Sequence, residues 1–315
     1  VDPSWLATPL KTFIARAEGS EYGADSSSKV LYYGDAESPD DIEEMKHAAK
    51  NADACFFFLS TNSGEGGDRD SLSLDHDDFV APVAQHCSRS VAVVTTPGAT
   101  LLPWADSVDA ILVNFMPGVA SAFATMDVVL GDVNPSAKLP ITFPMIENEE
   151  GMTEEQYPGL DDGMNVTYTE KWSFGYRHYH SHKLSPRYWF GEGQSYTTFE
   201  MTKPKLSEDN EGGGFKVKFT VSNTGKVKGA AVPQLYLQLN QDCDAPMFML
   251  KKFEKVKMDV GESKDVEWKV DERDVSIWDA DKDGWSKCKG KATARLAWSA
   301  NFQDDKLYDL ELKVQ

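Results

Sequence analysis

The chain of 315 residues is 41% hydrophobic and 26% charged, a composition that supplies cores for two domains and gives no sign of disorder. Its 51 acidic against 32 basic side chains set a formal charge of −19, which repels nucleic acid and anionic membrane as partners and tolerates a neutral ligand such as a sugar. No run approaches the ~18 consecutive apolar residues of a membrane span.

Residues 1–17 read as a loop and a helix rather than as a leader peptide. Residues 29–33 predict a short strand, and residues 40–52 an amphipathic helix entered through Ser38-Pro39-Asp40, a capping and first-turn sequence. The run Cys55-Phe56-Phe57-Phe58-Leu59 is apolar at every position, which predicts a strand buried on both faces, as in a parallel sheet covered by helices. It stops at residues 63–74, SGEGGDRDSLSL, where glycines bracket one glutamate, Glu65. Ligands collect beyond the carboxyl ends of such strands, and glycine lets the backbone turn and approach them closely. On residue chemistry alone, a glutamate in a glycine-rich loop also fits a merely solvated position. A helix near 77–87 follows, then strands at 91–95 and 110–114, ended by Pro97-Gly98 and Pro117-Gly118, and a helix over 120–130 closing on Gly131 as a left-handed cap. Strands alternating with helices predict a parallel sheet with helices on both faces.

Residues 146–200 lack sustained periodicity and are rich in Gly, Tyr and Trp. Aromatics such as Tyr168, Trp172, Tyr176, Tyr179, Tyr188 and Trp189 suit stacking on sugar rings, but equally suit anchoring a long loop. His178, His180 and His182 alternate as metal ligands on a strand would, without a Cys or carboxylate at ligand spacing. Asn165-Val166-Thr167 is a glycosylation sequon, meaningful in a secreted protein. From Gly214 the pattern turns all-β: alternating runs at 215–225 and 230–239, two more around Val260-Gly261-Glu262, and a last pair at 294–300 and 307–314 predict an antiparallel sandwich. Cys243 and Cys288 fall in its loops, where a disulfide and two free thiols are equally compatible; Cys55 and Cys87 are left unassigned. Asp279, Asp281 and Asp283, followed by Gly284, have the spacing of a tight calcium loop, and equally that of a solvated hairpin turn. Gly290 at the twelfth position excludes an EF-hand.

The loop SGEGGDRDSLSL resembles the acid/base loop of family 3 glycoside hydrolases, the β-glucosidase and exo-glucanase group. Residues 110–144, with GDVNPSAKLPITFP at their end, FGYRHY at 174–179 and FGEGQSYTTF at 190–199 resemble that family's later signatures, in the same order. The resemblance implies an αβα sandwich over residues 1–145, an aromatic-rich connector over 146–200 and a fibronectin-type-III-like β-sandwich over 201–315. It covers only the C-terminal part of such an enzyme; the preceding (β/α)8 barrel, which carries the aspartate nucleophile, has no counterpart here. The resemblance implies that Glu65 is the acid/base, that Asp68 and Arg69 pin its loop by a local ion pair or else touch substrate, that β-linked glucosides or glucans are the substrate, and that the protein is secreted. No cofactor is implied beyond the calcium alternative. Departures are Val119-Ala120 where the family has a Gln-Glu or similar pair, residues 74–78 where it has LPxxQ, and Lys171 where it has a glycine. They favour an alternative, a non-catalytic extracellular carbohydrate-binding or assembly glycoprotein. Either reading expects a partner, the barrel or further copies of the chain.

Overall fold

The computed structural model describes residues 8–17, 29–34, 38–67, 69–209, 214–303 and 307–315. The chain divides into two compact units, Val1–Val133 with Pro144–Glu147, and Asn134–Phe143 with Asn148–Gln315.

The first unit is an αβα sandwich around three parallel strands, β1 (Cys55–Ser60), β2 (Ser90–Thr96) and β3 (Ala110–Phe115), in the order β1-β2-β3. Helices α1 (Pro9–Ala17) and α4 (Ser121–Val129) pack together, as do α2 (Pro39–Ala49) and α3 (Val80–Ala84). Central β2 is buried on both faces, with Ala92, Val93 and Val94 almost inaccessible. β1 departs from its expected double burial. It is an edge strand, and Phe58 is 40% exposed while Phe57 and Leu59 are covered. The strand expected at 29–33 does not form; Leu31 and Tyr32 are 54% and 66% exposed, so no apolar burial holds that segment against the β1 edge.

Local chemistry sets the helix ends. Ser38 caps α2 through a reciprocal box: its Oγ accepts from the Asp41 amide at 3.3 Å, and its own amide donates to Asp41 Oδ2 at 2.8 Å. After α4, Gly131 takes φ +84°, the left-handed conformation that glycine enters without a Cβ clash. Arg16 of α1 ties to α4 by donating to Asp127 at 3.0 Å and to Asp132. Cys55 and Cys87, unassigned from sequence, form a disulfide that fastens the start of β1 to the segment after α3.

In the second unit, strands β4 (Phe199–Glu208), β5 (Phe215–Asn223), β6 (Gly229–Ala231), β7 (Gln234–Gln238), β8 (Met249–Phe253), β9 (Val256–Met258), β10 (Ser263–Val270), β11 (Ser276–Asp279), β12 (Gly284–Lys287), β13 (Gly290–Ala297) and β14 (Tyr308–Val314) form an antiparallel sandwich. Its principal sheets run β10-β5-β4 and β14-β13-β7-β8. Val217, Phe219 and Val221 of β5 alternate inward and meet Leu235, Leu237, Ala294 and Leu296 of the facing sheet. The expected single strand at 230–239 is split into β6 and β7 across Val232-Pro233, since proline cannot donate to a ladder. Cys243 and Cys288 are joined by a disulfide.

Residues 148–200 contain two short helices, α5 (Leu160–Gly163) and α6 (Tyr176–His182). Tyr179 and Trp189 are buried with Tyr236, Phe248, Ala297 and Ala300. Tyr236 and Ala297 alternate with Leu235 and Leu296, so this cluster covers the outer face of the four-stranded sheet.

Candidate functional site

β1 delivers its chain end to a loop, residues 61–75, that is tied down at five places. Asn62 donates its amide to Asp75 Oδ2 at 3.3 Å, and Asp75 donates its own to the Ser60 carbonyl at 3.3 Å, closing the loop on its stem. Leu72 donates to both carboxylate oxygens of Glu147, at 3.2 and 3.0 Å, and accepts from the Leu101 amide at 2.9 Å. Arg69, half-buried, donates from Nη2 to the Ala99 carbonyl at 3.0 Å, fastening the loop to the turn after β2. Leu74 supplies an apolar anchor.

At the tip, Gly64 and Gly67 form an antiparallel bridge around Glu65 and Gly66, and Gly66 takes φ +85°. Glu65 is exposed, and among the described residues its carboxylate has neither hydrogen bond nor ion pair. Among the described residues the loop is anchored through Asn62, Arg69, Leu72, Leu74 and Asp75, while the Glu65 carboxylate is free. Beside it opens a cleft of about 390 Å³ whose lining residues, including Thr61, Asn62, Ser63, Arg69, Asp70 and Ser73, are all polar or glycine. Because β1, β2 and β3 are parallel, the turn after β3 lies at the same end of the sheet. There Met116, at φ +36°, is 70% exposed, with Val119 also exposed.

Asp68 lies outside the described residues, so the local ion pair expected with Arg69 has no structural account. Arg69 acts on a backbone carbonyl 30 residues away, a long-range contact that local reading missed. Nearby, Asp77 accepts from Trp104 Nε1 at 2.7 Å, yet burial holds its carboxyl above the usual range.

The remaining sequence-expected residues belong to the second unit. Asn165 is exposed beside Thr167, its Nδ2 donating to Asp161 Oδ2 at 2.6 Å. The calcium alternative does not form. Asp279 ends β11 and accepts from Lys282 Nζ and, at 3.1 Å, from Ser286 Oγ, so a lysine occupies the charge a cation would take. Asp281 and Asp283 stay in the exposed hairpin turn, and among the described residues no three His, Cys, Asp or Glu side chains converge on a metal position. His178, His180 and His182 lie on helix α6 rather than on a strand. His180 is stacked between Trp189 and Phe302, each at 4.5 Å, and donates from Nε2 to the Ala300 carbonyl at 2.8 Å. Of the aromatics, Tyr179 and Trp189 are core, while Tyr168 and Trp172 are exposed.

Residues 1–196 match the Glycosyl hydrolase family 3 C-terminal domain, and residues 231–300 match the Fibronectin type III-like domain. Probable beta-glucosidase G of Aspergillus flavus is 36% identical over 94% of this chain and 39% of its own length. Among solved structures, DesR, a β-glucosidase from Streptomyces venezuelae in complex with D-glucose, superimposes with TM-score 0.81 at 33% identity, covering 88% of this chain and 35% of that one. The family 3 β-glucosidase of Bifidobacterium adolescentis gives TM-score 0.84 at 27% identity over 99% of this chain and 46% of that one. The chain thus spans less than half the length of these relatives.

Proposed function

The chain belongs to glycoside hydrolase family 3, as the C-terminal portion of such an enzyme, and from that membership we propose that Glu65 is the acid/base of a retaining β-glucosidase acting on β-linked glucosides or glucans. The carrying observation is the unpaired Glu65 carboxylate at the tip of a loop otherwise locked by Arg69, Leu72 and Asp75. A general acid must keep its proton donor pointed at one oxygen, and a loop fixed at its stem and flanks meets that requirement.

Retention needs a second carboxyl about 5–5.5 Å from the first. In this proposal the nucleophile comes from a (β/α)8 barrel, which the described residues do not contain. The barrel aspartate attacks the anomeric carbon while Glu65 protonates the departing glycosidic oxygen; Glu65 then takes a proton from the water that releases the sugar. The polar cleft beside Glu65 supplies donors and acceptors for hydroxyls. It offers no apolar wall for a sugar ring, which is why the barrel, rather than another copy of this chain, is the partner proposed.

Two disulfides, with no free cysteine among the described residues, suit an oxidising compartment and support secretion. On that reading Asn165, exposed beside Thr167, carries a glycan, and mass spectrometry of the native protein with and without endoglycosidase tests it.

The test of the main proposal is Glu65→Gln in the polypeptide that includes the barrel. kcat/KM for an aryl β-glucoside with a poor leaving group should fall by ~10²–10⁴-fold, and azide, which needs no base, should restore turnover of activated substrates. Unchanged activity would remove Glu65 from the chemistry, whereas no activity in the wild-type barrel-containing polypeptide would leave the non-catalytic extracellular module as the reading.

A further inference from the structure

Strands β11 and β12 form a two-stranded ribbon in which Ile277 packs inward on the sandwich core, so the alternate positions look outward. On that outer face Trp278 and Trp285 stand directly across from one another, 51% and 48% exposed, where a solvated sheet face ordinarily carries polar side chains. Their ring centroids lie 5.7 Å apart with planes at 75°, and the Arg273 guanidinium carbon sits 3.5 Å from the centre of the Trp285 ring. An edge-to-face contact takes one face of one ring, and Arg273 takes a face of Trp285, so Trp278 keeps at least one face clear of other rings. Arg273 is itself exposed, and among the described residues its side chain makes no hydrogen bond or ion pair. The neighbouring cations are already paired, Lys287 with Glu272 at 3.0 Å and Lys282 with Asp279.

A cross-strand aromatic pair steadies a ribbon, but pairing alone does not call for an arginine held on one ring with its donors unshared. An open indole face beside directed N–H donors is what a pyranose takes up: its C–H face covers the ring, and its hydroxyl oxygens accept from the guanidinium. We propose that Trp278, Trp285 and Arg273 form a surface site for a glucosyl unit of a β-linked glucan, by which the protein is tethered to polymer. The size of the patch sets the class of occupant. Two half-exposed indoles offer on the order of 200 Å², against roughly 800 Å² per partner in a stable protein interface. One or two sugar rings cover that area. The net charge of −19 turns away acidic polysaccharides and leaves a neutral one. That the glucan is β-linked rests on the β-glucoside reading above; the stacking site itself does not.

The experiment is affinity electrophoresis of the 315-residue chain in native gels with and without a soluble mixed-linkage β-glucan, with melting of the all-β unit followed in parallel. The glucan should retard the wild type, Trp278→Ala should weaken binding by at least ~10-fold, and Arg273→Gln should weaken it several-fold. Trp278→Tyr, which keeps a stacking ring, should recover most of the affinity. Phe253→Ala removes a ring that is 67% exposed but has no ring or cation beside it among the described residues, and should bind as wild type. An equal loss there would mark non-specific adhesion and overturn the site. The proposal also fails if the glucan does not retard the wild type, or if Trp278→Ala melts as wild type and is retarded as strongly. Should Trp278→Ala lower the all-β transition, Arg273→Gln decides, because an exposed side chain without hydrogen bonds is not needed for folding; unchanged retardation then overturns the site. A dimer in sedimentation that Trp278→Ala abolishes would assign the pair to a contact between copies and overturn it too. None of these measurements needs turnover, so the outcome is separate from that of Glu65→Gln.

Discussion

Removing the Cys55–Cys87 disulfide should destabilise the first unit alone. The two residues are 32 apart in sequence with Cα atoms at 6.0 Å, a separation a disulfide spans. The chain-entropy relation for a closed loop of that size gives roughly 3.7 kcal/mol at 25 °C. At roughly 2–8 °C per kcal/mol for small domains, the double variant Cys55→Ala/Cys87→Ala should melt on the order of 10 °C lower in the transition of the α/β unit. Calorimetry resolves this if the all-β unit, closed by its own Cys243–Cys288 bridge, keeps its transition. Trp104, buried in the α/β unit, should change its fluorescence with the moved transition. Reduction of the wild type should reproduce the shift of the α/β transition, because the effect is the cross-link rather than lost packing, and should lower the all-β transition as well by opening Cys243–Cys288. Ellman titration of the unfolded, unreduced protein should find no thiol. Two or more thiols, or an unmoved transition in the double variant, would refute the pairing and with it the anchor at the start of the strand that leads to Glu65.

Lys171 stands where the family has glycine and takes φ +51°, so Lys171→Gly should relieve a left-handed strain of ~1 kcal/mol, less the entropy glycine loses on folding; a drop in melting temperature would contradict this. Asp77→Asn keeps the acceptor for Trp104 and removes a carboxylate whose folded-state proton affinity burial has raised. Such a group stabilises the fold when protonated and loses that contribution as pH rises through its folded value, so the variant should gain on wild type at neutral pH and the gain should vanish below the carboxylate range. Thermal melts between pH 3 and 8 check the sign. Arg69→Met, in the barrel-containing polypeptide, frees the loop from Ala99 and should cut kcat/KM by ~100-fold with global melting little changed, whereas unchanged kinetics would show the loop needs no such anchor. The 315-residue chain alone should not turn over aryl β-glucosides; measurable turnover abolished by Glu65→Gln would demand a nucleophile within these residues.

The features legible in the sequence are those whose physics is local. Ser38-Pro39-Asp40 announced α2 because a cap and its first turn lie within four residues, and Gly131 announced the end of α4 for the same reason. The glycine-bracketed Glu65 was visible because an apolar run cannot continue through three glycines. What escaped depends on partners distant in sequence. β1 and β2 are equally apolar in sequence, but β1 is the edge and β2 the centre, and only the order of strands tells them apart. Cys55 meets Cys87, and Arg69 meets Ala99, across separations that no spacing rule covers. Helix α6 was hidden because buried Tyr179 and half-buried His180 pack against Trp189, Phe302 and Ala300 instead of forming an apolar stripe at helical period. The D-x-D-x-D-G turn misleads in the other direction: its spacing fits calcium, but the lysine between the second and third aspartates pairs with the first.

The character of the Glu65 cleft explains why acid and nucleophile are expected on different domains. A lining made of side-chain hydroxyls, amides, charges and glycine can hold sugar hydroxyls, but each such hydrogen bond replaces one to water and nets only ~0.5–1.5 kcal/mol. Ligand sites usually rely on apolar walls for most of their binding free energy. A cleft without one therefore binds a single glucose weakly, however well its donors are placed. Covering it with a second domain adds the missing wall, excludes water and strengthens every polar contact at once, while bringing a second carboxylate within reach of the anomeric carbon. On the proposed function, Glu65 stays exposed at the tip of an anchored loop because the sugar is held against it by the partner domain rather than by its own unit. The rigidity comes from Arg69, Leu72 and Asp75 instead, residues that lock the loop before any substrate arrives.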